Sequence, residues 1–225
     1  MILAVAATQF EMQPFLAAVG VDRCQTLISG VGPVESCLRL AAFFSVQRSR
    51  AITAVVNFGV GGAYGGAEGR DASLQLLDIC LAQSEVLGDL GICFPRRIDD
   101  LPPQATAPKH FELDPLLLEQ TSRILEEEKI PFHTGNFVTL SCASGTTERG
   151  EMLQTRYRGL CENMEGGAVA RVCREFGLPL LELRCISNFV EDRNTANWRL
   201  QQAADTCATT AALVVNTLAE RVHTS

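Results

Sequence analysis

Ile52-Thr53-Ala54-Val55-Val56-Asn57-Phe58-Gly59-Val60-Gly61-Gly62-Ala63-Tyr64-Gly65-Gly66 begins as an apolar run and empties into five glycines. The run 52–58 has the length and β-branched content of a strand buried on both faces, as in a parallel sheet. The glycines let backbone N–H groups approach an anion or a sugar closely. A plain glycine-rich turn explains them equally well. They do not form G-x-G-x-x-G, because Tyr64 stands where the third glycine belongs. No amphipathic helix follows, which argues against a dinucleotide site.

Around this stretch, short apolar runs alternate with segments of helical period, which is the pattern of an α/β protein. Strands are expected at residues 2–7, 25–29, 52–58, 77–82, 137–141, 161–164 and 180–186. Helices are expected at 11–19, 34–47, 115–128, 149–157, 167–176 and 200–221. The last carries one apolar stripe through Leu200, Ala203, Ala204, Cys207, Ala211, Val214, Val215 and Leu218. Asp114-Pro115 supplies a capping acid and a proline at the first helical position. Residues 95–108 hold four of the nine prolines and read as a long surface loop rather than a linker. One domain spanning 1–225 is expected, with no internal repeat.

Composition narrows the function. The 225 residues are 47% hydrophobic and 20% charged, which excludes disorder and coiled coil. A net charge of −7 argues against nucleic acid as a partner. Lys109 and Lys129 are the only lysines, so Schiff-base and P-loop chemistry are poorly supplied. The first seven residues carry no basic flank and too short an apolar run for a signal peptide or membrane span. The expected location is the cytoplasm. The closest of the nine cysteines are twelve residues apart, and His110, His133 and His223 show no ligand spacing. No metal or other cofactor is expected, and the cysteines read as small hydrophobes.

Two further segments carry chemistry. Glu162-Asn163-Met164-Glu165-Gly166-Gly167-Ala168 reads as a strand end opening into a helix. Glu165 there could accept two hydrogen bonds from a vicinal diol, or simply favour a helix start. Leu183-Arg184-Cys185-Ile186-Ser187-Asn188 reads as a strand delivering polar groups into a crevice, or as an edge strand with a turn-forming Asn. Glu11, just after the first strand, is the acid that could act with Glu165. No nucleophilic triad is present; His133 follows a proline in what reads as a turn, and Glu126-Glu127-Glu128 reads as a solvated helix end.

In order along the chain stand a first strand followed by a glutamate, S-G-V-G at Ser29, N-x-G-x-G-G at Asn57, D-I at Asp78, M-E-G-x-A at Met164 and R-x-I-S-N at Arg184. This order resembles the nucleoside phosphorylase/nucleosidase family over nearly the whole chain. Glu85-Val86-Leu87-Gly88-Asp89-Leu90-Gly91, the Glu162–Gly166 run, and Asn188 followed by Asp192-Arg193 and Trp198 are most similar to its futalosine hydrolase branch. The resemblance implies a three-layer α/β/α fold of phosphorylase/hydrolase type with a central mixed β-sheet. It also implies a homodimer or larger homo-oligomer acting on a small purine nucleoside. Glu165, beside Met164, would bind the ribose 2′- and 3′-hydroxyls. Glu11 would orient and deprotonate water, with Arg184 next to it. Backbone at Val60 and Gly61 would flank sugar and base, Ser187 and Asn188 would face the purine edge, and Cys142 would lie near the base-stacking loop.

Asn188 bears on which base is released. Adenine-releasing members of the family carry Asp here, which when protonated donates to N7 and can accept from a 6-amino group. An Asn amide group offers two donors, matching N7 and a 6-oxo acceptor. Asn cannot protonate the base, so it would stabilise a departing anion by hydrogen bonding. The expected reaction is hydrolysis of the N-ribosidic bond of a 6-oxopurine nucleoside, namely futalosine to hypoxanthine in menaquinone biosynthesis, through an oxocarbenium-like transition state. Phosphorolysis of inosine or guanosine competes, although Glu11 would repel phosphate. Methylthioadenosine/S-adenosylhomocysteine nucleosidase activity and a non-catalytic nucleoside-binding module are the remaining alternatives.

Overall fold

The computed structural model describes residues 1–46, 52–65, 74–105 and 107–223. Gln47 of the second expected helix, Gly66 of the glycine cluster and Thr106 of the proline-rich loop lie outside the described residues. The elements run β1 (Ile2–Ala6), α1 (Gln9–Ala18), β2 (Cys24–Ile28), α2 (Pro33–Val46), β3 (Ala54–Ala63), β4 (Ile79–Leu87), β5 (Ile92–Phe94), β6 (Arg97–Asp99) and β7 (His110–Glu112). They continue with α3 (Pro115–Glu127), β8 (Phe132–Thr139), α4 (Thr147–Tyr157), β9 (Gly159–Asn163), α5 (Gly166–Phe176), β10 (Leu180–Phe189) and α6 (Leu200–His223).

The main sheet has the order β10-β4-β8-β9-β3-β1-β2, with β7 added beside β4. It is mixed: β3 runs parallel to β1 and β10 but antiparallel to β9, and β4 runs parallel to β8 but antiparallel to β10. Because β3 pairs with both β9 and β10, five strands close on themselves while β1 and β2 continue outward as an open wing.

Alternation along β3 explains the layers. Val56 and Phe58 pack with Met12 and Phe15 of α1, Ile124 and Leu125 of α3, and the buried stripe of α6. Val55 and Ala63 point the other way, toward Leu40 of α2 and Val169 and Val172 of α5. Helices therefore cover both faces, giving the expected α/β/α sandwich. Asp114 caps α3 as expected, accepting from Leu117 N. The α6 stripe is buried from Ala203 to Leu218, whereas Leu200 is 41% exposed because it begins the helix.

The structure corrects the reading at three places. The glycines of the central motif are not a turn: Gly59, Gly61 and Gly62 lie within β3, which runs on to Ala63. Small residues there let β9 and β10 approach from either side. His133 lies in β8, not a turn, and its Nε2 is 3.1 Å from Asp78 Oδ2. The proline-rich segment holds the small β5–β6 hairpin's second strand and a short 3₁₀ turn. These pieces are too short to leave a periodic signal. Cys80, Cys161, Cys173, Cys185 and Cys207 are buried, while Cys37, Cys93 and Cys142 are exposed. Burial pushes the thiols of Cys80, Cys173 and Cys207 up to about 12, which leaves them unreactive.

Candidate active site

Four parallel strands, β1, β2, β3 and β10, bring their carboxyl ends to one side of the sheet. Ligands bind outside such ends in open α/β sheets. A cavity of about 280 Å³ lies here. Three carboxylates (Glu11, Glu162 and Glu165) line it with the guanidinium groups of Arg184 and Arg193. A larger groove of about 610 Å³ opens between β7, the start of α3 and the end of α5. None of its polar side chains is buried, and Asp114 there is committed to its helix cap.

Glu11 is the third residue of α1 and closes a capping box with Thr8. Its Oε2 accepts from Thr8 N at 3.1 Å and from the Thr8 hydroxyl at 2.8 Å, and its Oε1 accepts from Val60 N at 3.1 Å. A helix cap thus aims this acid, and a peptide of β3 holds it. One turn further, Phe15 stacks on Phe58 with ring centroids 4.8 Å apart, locking α1 over the same strand. Gly59 makes room for the arrangement: a Cβ there would sit 2.5 Å from Glu11 Oε1 and 2.9 Å from Arg184 Nη1.

Glu165 stands at the N-cap position of α5 without using its side chain as a cap. Its Oε1 instead accepts from Gly32 N at 3.0 Å, across the cavity in the loop before α2. Arg184 is 2% exposed. It donates from Nε to Glu182 Oε1 at 2.9 Å and from Nη1 to Glu165 Oε2 at 3.4 Å and Val60 O at 3.2 Å. Burial alone would lower its pKa, but Glu182, Glu165 and Glu11 outweigh that and hold it charged. Among the described residues its ion pairs are with Glu182 and Glu165, not with Glu11.

The polar edge expected to meet the base is built by β10. The Ser187 hydroxyl lies 3.3 Å from Gly61 O and 2.8 Å from Asn188 Oδ1. Asn188 Nδ2 donates to Phe189 O at 3.1 Å, which leaves one N–H group for a ligand where the sequence led us to expect two. Val60, Gly61, Met164, Ser187 and Asn188 all line the cavity. Cys142 does not; it is exposed, and its neighbours Ala143 and Ser144 line the wall instead.

Several wall residues had no role in the sequence reading. Glu162 accepts from Ser144 N at 2.7 Å, and burial raises its pKa. The Arg193 guanidinium lies over Trp198, 5.1 Å from the ring centroid. Asp192 ties its loop to α4 by accepting from Thr147 N at 3.1 Å, a structural use. Behind the cavity, Glu85 and Glu182 are fully buried. A glutamate inside Leu180-Leu181-Glu182-Leu183 was a visible signal, since an acid in an apolar strand needs a partner. Glu85 was not legible: a register shift between Ala82 and Ser84 reverses the alternation of β4 and turns Glu85 inward.

An α/β/α sandwich whose parallel strands end at a carboxylate-walled cavity defines a class, and residues 16–220 match the Phosphorylase superfamily. The chain belongs to that superfamily. It is 31% identical over 186 residues to the futalosine hydrolase of Thermus thermophilus, covering 81% of this chain and 76% of that protein. It is 23% identical to the 5′-methylthioadenosine/S-adenosylhomocysteine nucleosidase of Staphylococcus epidermidis, over 84% of this chain and 80% of that one. The native futalosine hydrolase of Helicobacter pylori superposes with a TM-score of 0.81 at 22% identity, covering 96% of this chain and 97% of that chain. That likeness speaks to the fold.

Proposed function

We propose that the protein hydrolyses the N-ribosidic bond of a 6-oxopurine nucleoside, futalosine, releasing hypoxanthine in menaquinone biosynthesis. The observation that carries this reading is the wall of the cavity: Glu11, Glu162 and Glu165 face it, against two arginines. A phosphorolytic site needs cationic and hydroxyl donors around phosphate, and the carboxylates of Glu11 and Glu165 at the same wall oppose that dianion. Water suits a carboxylate base.

In this reading Glu165 accepts the ribose 2′- and 3′-hydroxyls while Arg184 fixes its carboxylate. Glu11, held by Thr8 and Val60 N, takes a proton from the water that attacks C1′. Positive charge developing on the sugar is stabilised by both carboxylates. The Asn188 amide holds the departing base at N7 or O6. Carboxylates, guanidinium and amide supply this chemistry without a cofactor. Thr8, Gly32, Val60 and Arg184 hold these groups before substrate arrives, so little reorganisation is needed during reaction.

We read the active form as a cytoplasmic homodimer or larger homo-oligomer. Val34 and Leu38 on α2 are 79% and 63% exposed, and Val31 of the preceding loop lines the cavity itself. Apolar side chains of this kind beside a site favour a covering subunit.

The second reading is an adenine-releasing nucleosidase, favoured by the similarity to the Staphylococcus epidermidis enzyme. Chromatography of the bases released from futalosine, inosine and methylthioadenosine separates the two. Hypoxanthine from futalosine should appear fastest, and Asn188→Asp should move the adenine-to-hypoxanthine ratio toward adenine by about tenfold or more. Adenine release outpacing hypoxanthine in the wild-type protein would refute the 6-oxopurine reading.

A further inference from the structure

Behind Glu165 lies a buried polar cluster that the reaction does not touch. Glu85 on β4 and Glu182 on β10 are both fully buried. Both converge on Gly166: a Cβ there would overlap Glu85 Oε1 and would sit 2.5 Å from each oxygen of Glu182. Two buried carboxylates thus share one pocket with, among the described residues, one cation, Arg184, and Arg184 is ion-paired to Glu182. Like charges this close cannot both ionise cheaply.

The ion pairs say which acid stays neutral: Arg184 holds Glu182 charged at 2.9 Å, and among the described residues no cation is ion-paired to Glu85. Asn163 Nδ2 donates to Glu85 Oε1 at 2.6 Å. Glu85 Oε2 is 2.8 Å from Thr139 Oγ1, and that oxygen accepts from Gly167 N at 2.6 Å. Thr139 Oγ1 is also 3.1 Å from Asn163 Oδ1, which accepts from Glu165 N at 2.9 Å and Gly166 N at 2.7 Å. Asn163 Oδ1 already accepts two N–H groups, so the hydroxyl proton of Thr139 can turn either to Glu85 or to Asn163. With a proton on Glu85 Oε2, Glu85 donates to Thr139 and the Thr139 hydroxyl turns to Asn163.

We propose that Glu85 is a positioning residue, a neutral acid whose donated hydrogen bond completes the Thr139–Asn163 network and so fixes the backbone turn that presents Glu165. The charged and titratable groups facing it are Glu182 and Arg184 on β10 and the Cys161 thiol on β9. From β7 and β8 it meets Phe111 and Thr139, and from α5 the backbone at Gly166. Burial first, then the Glu182 charge, raises the Glu85 pKa well above the usual glutamate range, outweighing the Thr139 and Asn163 hydrogen bonds and Arg184, which act the other way. The inference rests on the assignment of Glu165 as the diol ligand.

The test compares Glu85→Gln with Glu85→Leu, each checked for folding by thermal melting. Glutamine reproduces a neutral acid, with an N–H toward Thr139 and a carbonyl toward Asn163. We expect Glu85→Gln to retain kcat within about threefold, and Glu85→Leu to lose about 10²-fold through displacement of Glu165. The wild-type rate should fall at high pH as Glu85 ionises, and the fall should be smaller in Glu85→Gln. Infrared difference spectra at neutral pH should show a buried carboxylic-acid carbonyl band in the wild type that Glu85→Gln lacks. Loss in Glu85→Gln equal to that in Glu85→Leu, superimposable pH profiles, or absence of the band would each overturn the proposal. If the wild-type protein releases no base from any nucleoside, the enzymatic reading fails while the band still decides the state of Glu85.

Discussion

Glu165 combines three constraints in one side chain: a place at the start of α5, a hydrogen bond from Gly32 N and an ion pair with Arg184. Its carboxylate is therefore oriented without being used as a helix cap. Glu165→Gln keeps an oxygen for Gly32 N but loses the charge that a cationic sugar would feel. Turnover should drop by about 10²-fold or more, because contacts at the 2-hydroxyl strengthen in the transition state. The melting temperature should stay within a few degrees. Unchanged kcat/KM in a stopped assay would remove Glu165 from the diol role. Gly166 beside it tolerates no side chain, since Glu85 and Glu182 already occupy the space a Cβ would take.

At the scale of elements, α1 shows how packing sets chemistry. Glu11 and Phe15 lie one helical turn apart, so the stack on Phe58 that buries Phe15 also fixes the acid. Phe15→Ala should cost about 3–5 kcal/mol, lowering the melting temperature by roughly 10 °C. It should also reduce turnover in the protein that remains folded. Full activity per folded molecule would show that α1 holds Glu11 by its capping box alone. Periodicity revealed most of these elements, because amphipathic helices and apolar strands each carry a repeating signal. The α6 stripe was legible for that reason, and the cap at Asp114 through the acid–proline pair that opens α3. The continuation of β3 through Gly59–Gly62 was not, since glycine reports backbone freedom and not the partners that approach it. The inward turn of Glu85 depends on a register shift with no local sequence mark. Glu11, Arg184, Glu165 and Asn188 were legible as a set through their order along the chain, and the structure brings them to one cavity.

Across the whole molecule, the burial of Glu85 ties stability to pH. A carboxyl whose folded pKa is raised binds its proton more tightly in the native state, so its contribution is fully present in acid. That contribution is lost as pH rises above the ordinary glutamate range toward the raised value. Glu85→Gln removes this loss, so its melting temperature should gain on the wild type as pH increases from about 5 to 8. A gap that is constant with pH would indicate an ionised Glu85 throughout. The cavity those buried groups support is proposed to activate water and not phosphate. This is tested most directly by following hypoxanthine release from futalosine in phosphate-free buffer and in saturating phosphate, with the mass of the sugar product recorded. Equal rates and a free sugar are expected in both. A rate that requires phosphate, with a sugar 1-phosphate as product, would contradict the proposal.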